Sequence, residues 1–274
     1  MSRGLTPSLG FLSPFRYPGG KTWLRTRVIG WLRRLDLRPE LFIEPFAGGA
    51  SVGLAIAELG LADEVILVER DPEVAAVWRA ILGGKARSFC NRIQAFNPSR
   101  DTVKRELCST RQDLLSVAFR CLLRNRVSRA GIIAPGAGLL RKGEAGHGIA
   151  SRWYAQTLQH RIERVQALAS CIRFLEADAF EVIPQYINNP KAVWFVDPPY
   201  LANGEGPGRR LYRYSDVNHG RLLELLASAP GPAMVTYHDS PEIRRLARRH
   251  GYKLESVWMR GAHDRRTELV LTRA

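Results

Sequence analysis

VWFVDPPY, which runs from Val193 to Tyr200, is the stretch of sequence that decides the fold. A short run of β-branched and aromatic residues bounded by prolines is typical of a buried strand. Because ligands bind outside the carboxyl ends of strands in an open α/β sheet, we expect Asp197 and Tyr200 at a binding edge. The Asp197 carboxylate and the Pro198 carbonyl can accept hydrogen bonds from an exocyclic amino group, while the tyrosine ring stacks on the attached base. The stretch favours methyl transfer to such a group over an ordinary strand end followed by a Pro-Pro turn.

Strand and helix patterns alternate on both sides of this stretch. Strands are predicted at residues 41–44, 65–69, 172–176, 193–196, 233–237, 253–259 and 268–272. Helices are predicted at residues 23–35, 51–59, 72–82, 179–186, 219–228 and 241–250. The order strand–helix–strand–helix near the start of the chain is typical of parallel βαβ units.

Between about Lys85 and Gln166 the pattern changes, because helical periodicity dominates and no convincing strand occurs. A glycine-rich basic loop at residues 134–148 interrupts the helices. We therefore predict an α/β fold in which residues 1–84 and 167–274 form a doubly wound, mostly parallel sheet. Residues 85–166 are predicted to be a helical insertion in that catalytic domain.

The composition indicates a soluble intracellular protein with a polyanionic partner. No run of eighteen apolar residues and no signal-peptide pattern occurs in the 274 residues. The four cysteines form no CxxC pair, so neither a metal site nor a disulfide framework is expected. The net charge of +15 favours nucleic acid as a partner. However, 35 of the 41 basic residues are arginine, an excess that GC-rich genomes also produce.

The turn after the first strand, Glu44–Ala50, is suited to close approach of a ligand to the backbone. Its glycines remove the side chains that would block such an approach at a helix N-terminus. Glu69 ends the next strand, where an acid can bind ribose hydroxyls, although Asp71 competes for that role unless it caps the following helix. Neither GxGxxG nor a GxxxxGK[ST] phosphate loop is present, so the predicted ligand is a nucleoside without a triphosphate.

Asp178-Ala179-Phe180 follows another predicted strand and could embrace an adenine ring. Phe180 would then supply a ring face and Asp178 a polar edge contact. On its own, the segment fits a helix N-cap followed by a core aromatic equally well.

Basic residues in two regions are candidates for contact with nucleic acid. Arginine suits guanine edges and asparagine suits adenine edges, whereas lysine and serine mostly position phosphates. The candidates within the insertion are Arg124, Asn125, Arg126, Ser128 and Arg129, with Arg141 and Lys142 in the glycine-rich loop. Arg209 and Arg210 lie in a second glycine-rich stretch and could clamp phosphates.

Four segments in order resemble the Dam-like (class alpha) family of DNA adenine-N6 methyltransferases. They are FRYPGGK at residues 15–21, FIEPFAGGASV at 42–52, VERDPE at 68–73 and VWFVDPPY at 193–200. The resemblance covers nearly the whole chain, and four motifs in the family's order are far more specific than any one of them. It implies the class I fold of methyltransferases that use S-adenosylmethionine as methyl donor, with the insertion as target-recognition region.

The resemblance also implies a role for each matching residue. The predicted cofactor contacts are Tyr17, Gly19, Gly20, Lys21, Glu44, Phe46, Ala47, Gly48, Gly49, Glu69, Asp178, Ala179, Phe180 and Asp197. The predicted catalytic residues are Asp197, Pro198, Pro199 and Tyr200. Glu69 stands where the family usually has aspartate, which keeps a carboxylate for the ribose. The residues after Asn125-Arg126 depart from enzymes that recognise GATC, so no recognition sequence is implied.

The function implied is methylation of N6 of an adenine flipped out of double-stranded DNA. The alternatives are N4 of cytosine, RNA as substrate, and a DNA-binding module without catalysis. A cytoplasmic protein of bacterial, archaeal or phage origin is expected, with no membrane or metal partner. A restriction or defence-system nuclease, if one exists, would be a separate chain.

Overall fold

The computed structural model describes residues 10–16, 22–134, 137–143, 146, 148–199, 214, 216–260 and 265–273. Seven predicted site residues lie outside the described residues, namely Tyr17, Gly19, Gly20, Lys21, Tyr200, Arg209 and Arg210. No helix within the described ranges is long and apolar enough to cross a membrane.

A seven-stranded sheet forms the centre of the molecule. Its strands are β1 (Leu41–Glu44), β2 (Glu64–Glu69), β3 (Ile172–Glu176), β4 (Ala192–Val196), β5 (Ala233–His238), β6 (Lys253–Arg260) and β7 (Arg265–Arg273). They lie in the order β3-β2-β1-β4-β5-β7-β6. Neighbours among β1 to β5 are parallel, whereas β7 runs antiparallel to both β5 and β6. This confirms the predicted doubly wound, mostly parallel sheet.

Ten α-helices are described around the sheet. They are α1 (Thr22–Leu32), α2 (Ser51–Glu58), α3 (Pro72–Ala80), α4 (Ala86–Ala95), α5 (Arg100–Leu107), α6 (Leu114–Val127), α7 (Ala155–Ala167), α8 (Ala179–Tyr186), α9 (His219–Ala227) and α10 (Pro241–Arg249). Side chains fix several starts: Asp71 accepts a hydrogen bond from the Glu73 amide at 2.9 Å, and Ser240 accepts one from the Ile243 amide at 3.2 Å. A proline follows each of these two caps, where its missing N–H costs nothing.

The sheet is buried on both faces, because successive side chains of a strand point to opposite sides. On β4, Val193 and Phe195 join one core with α1 to α3 and the insertion. Trp194 and Val196 join a second core with α8, α9 and α10. This explains the continuous apolar run before Asp197 and places that residue where the buried strand ends.

The described residues between 85 and 166 contain the helices α4 to α6 and most of α7, and α6 packs against α3. Phe96, Phe119 and Trp153 form an aromatic cluster whose ring centroids lie 5.1 to 5.8 Å apart. Arg124 of α6 forms an ion pair with Glu73 of α3. The insertion therefore extends the first core instead of forming a separate one.

Candidate active site

A cavity of about 680 Å³ lies at the carboxyl ends of the parallel strands. Its volume falls within the range of small-molecule sites, which is about 300–1,000 Å³. All the described residues that were predicted to bind cofactor or to catalyse line it: Glu44, Phe46, Ala47, Gly48, Gly49, Glu69, Asp178, Ala179, Phe180, Asp197, Pro198 and Pro199. The strand order reverses between β1 and β4, so the cavity lies at the switch point where α/β sheets bind ligands.

The loop after β1 contains two residues with positive φ and is anchored by hydrogen bonds to its backbone. Gly48 has φ of 47° and Ala50 has φ of 49°, both in the left-handed region that glycine adopts easily. The Ala47 amide donates to the Val68 carbonyl at 2.9 Å, and the Trp78 indole N–H donates to the Gly48 carbonyl at 2.9 Å. The loop is thus a hydrogen-bonded backbone turn with little side-chain bulk at the cavity, here called the glycine cradle.

Glu69 connects two of the loops that line the cavity. Its Oε2 accepts a hydrogen bond from the Gly48 amide at 2.9 Å, and its Oε1 accepts one from the Asp71 amide at 2.8 Å. Burial raises the pKa of Glu69 to about 7. Each carboxylate oxygen keeps a second lone pair that can accept a further hydrogen bond. Asp71 caps α3, which is the structural role that the sequence allowed for it, and it also lines the cavity.

Glu44 is buried at the end of β1 and is only 4% exposed. Its Oε2 accepts a hydrogen bond from the Gly53 amide at 2.8 Å. Burial, with a smaller contribution from the negative charge of Asp197, raises the pKa of Glu44 to about 8. A Cβ atom on Gly53 would lie 2.6 Å from Glu44 Oε2, so the helix start approaches this carboxyl group as closely as only glycine permits.

Asp178 is a helix N-cap, one of the two roles that the sequence allowed, and both Asp178 and Phe180 line the cavity. Asp178 caps α8 by accepting from the Phe180 amide at 2.8 Å, and it also accepts from Arg70 at 2.9 Å. The Phe180 ring lies 5.7 Å below the Arg221 guanidinium and lines the cavity. The N-cap therefore fixes an aromatic ring at the cavity edge.

Asp197 is oriented by a residue that the sequence did not reveal. Thr236, which is fully buried on β5, donates its hydroxyl to Asp197 Oδ1 at 2.8 Å. The bond restricts rotation of the carboxylate at the cavity edge. A hydroxyl in the otherwise apolar strand AMVTYH was the available signal, because a buried hydroxyl requires a partner.

Several residues predicted to contact DNA instead point into the fold. Asn125 is fully buried, and its Oδ1 accepts from the Arg16 amide at 2.8 Å. Its Nδ2 donates to the carbonyls of Arg16 and Gly131 at 2.9 and 2.8 Å. A base edge cannot reach an amide used in this way. Ser128 is also fully buried, and Arg124 is occupied by its ion pair with Glu73.

Other predicted DNA contacts remain on the surface. Arg129, Arg141 and Lys142 are exposed. The loop carrying the last two folds back on the end of α6, since the Leu140 amide donates to the Val127 carbonyl at 2.8 Å. These three basic side chains therefore belong to one exposed segment beside the insertion helix.

Arg126, which was predicted to contact DNA, is buried in the cavity lining. The sequence did not indicate that other arginines line the cavity with it. Arg16, Arg25, Arg152 and Arg161 line the same cavity. Arg16 belongs to FRYPGGK, and Arg152 lies four residues after the glycine-rich loop, but nothing in the local sequence indicates that both line one cavity.

No group of three or more His, Cys, Asp or Glu within the described ranges could hold a metal ion. The carboxylates of the cavity instead bond to amides, hydroxyls and arginines, as described above. The donor set therefore suits an organic ligand with hydroxyl and amino groups.

The sequence model of one protein family, D12 class N6 adenine-specific DNA methyltransferase, matches residues 17–260. The match includes all the strands from β1 to β5 and every described carboxylate of the cavity. No curated protein matches the chain.

Similar solved structures include two methyltransferases from bacteria. Precorrin-6y C5,15-methyltransferase from Geobacter metallireducens is 12% identical, with 92% of this chain and 87% of that chain covered and a TM-score of 0.41. The rRNA methyltransferase from Streptomyces viridochromogenes is 16% identical, with 92% and 84% covered and a TM-score of 0.40. The strand order and the family match identify the fold as the class I methyltransferase type.

Proposed function

The chain belongs to the D12 class N6 adenine-specific DNA methyltransferase family, and from this premise we propose that it methylates N6 of an adenine flipped out of double-stranded DNA. The observation that carries the proposal is the position of Asp197, oriented by Thr236 at the edge of the cavity that contains the glycine cradle and Glu69. The Asp197 carboxylate and the Pro198 carbonyl at this edge can both accept hydrogen bonds from an amino group.

The residues around the cradle fit S-adenosylmethionine. Gly48 and Gly49 would admit its methionine half, Glu69 would bind the ribose hydroxyls, and Phe180 would contact the adenine ring, with Asp178 at its polar edge. Tyr17 and Lys21, with Gly19 and Gly20, are proposed to complete the site from the N-terminal motif. When bound, S-adenosylmethionine supplies an electrophilic methyl group on a sulfonium centre.

Asp197 and Pro198 would act on the amino group of the target base. The carboxylate and the proline carbonyl would each accept a hydrogen bond from one N–H of the amino group. These bonds would increase the electron density on the nitrogen and direct its lone pair toward the methyl group. Proline suits this position because its fixed φ and missing N–H hold a carbonyl without a competing donor. Tyr200 is proposed to stack on the base, which contributes roughly 1–3 kcal/mol. Most of the rate acceleration would come from positioning.

The target base must leave the duplex before it can reach the cavity, at a cost of a few kcal/mol. We propose that the insertion at residues 85–166 reads the duplex and that Arg129, Arg141 and Lys142 bind its phosphates. Arg209 and Arg210 are proposed as further phosphate contacts. The exposure of the first three and the net charge of +15 support this assignment.

The test is long-read sequencing of DNA from cells that express the protein or its Asp197→Ala variant. We expect N6-methyladenine in a fixed short context with the wild-type chain and none with the variant, because the variant lacks the acceptor for the amino hydrogens. DNA affinity should change little, since phosphate contacts dominate it. Full methylation by the variant would contradict the role of Asp197, and the absence of methylation in both cultures would contradict the proposed function.

A further inference from the structure

Four arginines form a positively charged part of the cavity lining, here called the arginine wall. They are Arg16 before α1, Arg126 of α6, Arg152 of a short 3-10 turn and Arg161 of α7. The carboxylates that line the cavity come from the strand ends and the loops that follow them. None of the described lining residues contributed by the N-terminal segment, α1 or the insertion is acidic.

The four arginines of the wall differ in how deeply their side chains are buried. Arg16 is exposed, Arg152 and Arg161 are half-buried, and Arg126 is 3% exposed. Arg126 donates to the Pro14 carbonyl, while its Nε has no hydrogen-bond partner among the described residues. A buried guanidinium with an unsatisfied N–H is costly unless it contributes to binding an anion.

Two of the inner arginines donate to neutral backbone oxygens. Arg161 donates to the Ser13 carbonyl at 3.1 Å, and Arg126 donates to the Pro14 carbonyl. Carbonyl oxygens satisfy N–H groups without neutralising the charge. Positive charge therefore accumulates at this part of the cavity.

The arginines also repel one another. Burial, together with the charges of Arg161, Arg16 and Arg152, lowers the pKa of Arg126 to about 9. The pKa of Arg161 is lowered by burial and by Arg16. An oxyanion placed among these groups would turn the repulsion into attraction, and more strongly than at an exposed surface.

We propose that the arginine wall is an oxyanion subsite that binds a phosphate of the DNA strand next to the target nucleotide. Guanidinium groups match phosphate oxygens in pairs, which fits a site made of arginine alone. Arg16, Arg152 and Arg161 contact the phosphate, and Arg126 beneath them adds positive potential. The inference rests on the proposed function, since the same cavity would receive the base at Asp197.

A carboxylate is the other source of an oxyanion in this reaction, because the methyl donor carries one. The two sources differ in what they predict. A phosphate contact makes DNA affinity depend on salt, with a slope of about 0.9 in log K per contact. A carboxylate contact makes the affinity for S-adenosylmethionine depend on the arginines.

The experiment measures binding of a mixed-sequence DNA duplex over a salt series, with S-adenosylmethionine affinity measured in parallel by calorimetry. The variants are Arg161→Gln and the exposed Arg16→Gln. Arg164→Gln is the matched control, because Arg164 lies one turn further along α7 and pairs with Glu58 instead. Thermal unfolding verifies that each variant is folded.

We expect Arg161→Gln and Arg16→Gln each to lower the salt slope by about one and to weaken DNA binding several-fold. Arg164→Gln should keep the wild-type slope. Wild-type slopes for both test variants would overturn the proposal. So would a loss of S-adenosylmethionine affinity at an unchanged slope, which would assign the subsite to the carboxylate. These slopes do not depend on turnover, so a failure of the proposed function would appear separately, as absence of methylation by the wild-type chain.

Discussion

The acidic strand ends and the arginine wall line one cavity but are assembled in different ways. Each strand from β1 to β4 ends at, or within two residues of, at least one carboxylate that lines the cavity. The arginine wall is held by hydrogen bonds that join residues 112 and 148 positions apart in the chain. A parallel sheet brings its strand ends together by construction, whereas the wall depends on how the insertion docks. The local sequence therefore indicates that the acidic strand ends meet, but it does not indicate that the four arginines of the wall meet.

The largest predicted effect concerns the acidic strand ends, where Thr236 orients Asp197. Thr236→Val keeps the shape of the side chain but removes the hydroxyl that orients Asp197. Hydrogen bonds to charged groups contribute about 1.5–3 kcal/mol, so we expect kcat to fall by roughly 10- to 100-fold. The affinity for DNA and for S-adenosylmethionine should stay the same, which steady-state and binding measurements can establish.

Thr236→Ser is the matched control, because it keeps the hydroxyl and loses only a methyl group. It should restore most of the activity that Thr236→Val loses. If both variants lose activity equally, packing of β5 accounts for the loss and the orienting bond does not.

A smaller effect is expected from the pH dependence of cofactor binding at Glu44. Burial raises the pKa of Glu44 to about 8, so the group is mostly protonated at neutral pH. A positively charged ligand favours the ionised form, so affinity for S-adenosylmethionine should rise with pH by up to about tenfold per unit below the pKa and level off above it. Calorimetry at pH 6.5 to 8.5 measures this dependence.

Glu44→Gln provides the reference for this pH dependence. The variant has no ionisable group at the position, so its affinity should rise less steeply over the same pH range. Equal slopes in the two proteins would contradict ionisation of Glu44 on binding, and Glu69, with a pKa near 7, would be the next group to test.

The smallest effect concerns Arg124, a basic residue near the arginine wall that does not line the cavity. Arg124→Gln breaks a half-buried ion pair with Glu73, so the free energy of unfolding should fall by about 1 kcal/mol or less. The salt slope of DNA binding should remain that of the wild type. A slope lower by about one would show that Arg124 leaves Glu73 to bind phosphate.

Much of the fold could be predicted from the sequence because its signals are local. The strands at 41–44 and 172–176 and the helix at 179–186 begin and end where they were predicted. Elsewhere the ends move by one to a few residues, as at α1, which ends at Leu32 before the predicted limit. Capping residues such as Asp71 and Ser240 account for several helix starts.

Asn125 shows where local reasoning fails. An asparagine beside two arginines resembles a base-reading cluster, yet it bonds to Arg16, which is 109 positions away. Gly131 lies against the same backbone, where a Cβ atom would come within 2.1 Å of the Arg16 carbonyl. Such a contact follows from the docking of α6 on the N-terminal segment, and no periodicity or spacing encodes it.

The most direct test of the account is nucleoside mass spectrometry after incubation of the purified protein with unmethylated duplex DNA. The methyl donor is S-adenosylmethionine whose methyl group carries deuterium. We predict labelled N6-methyldeoxyadenosine with the wild-type chain and none with Asp197→Ala. Label on cytosine, or label on adenine with the variant as well, would contradict the account.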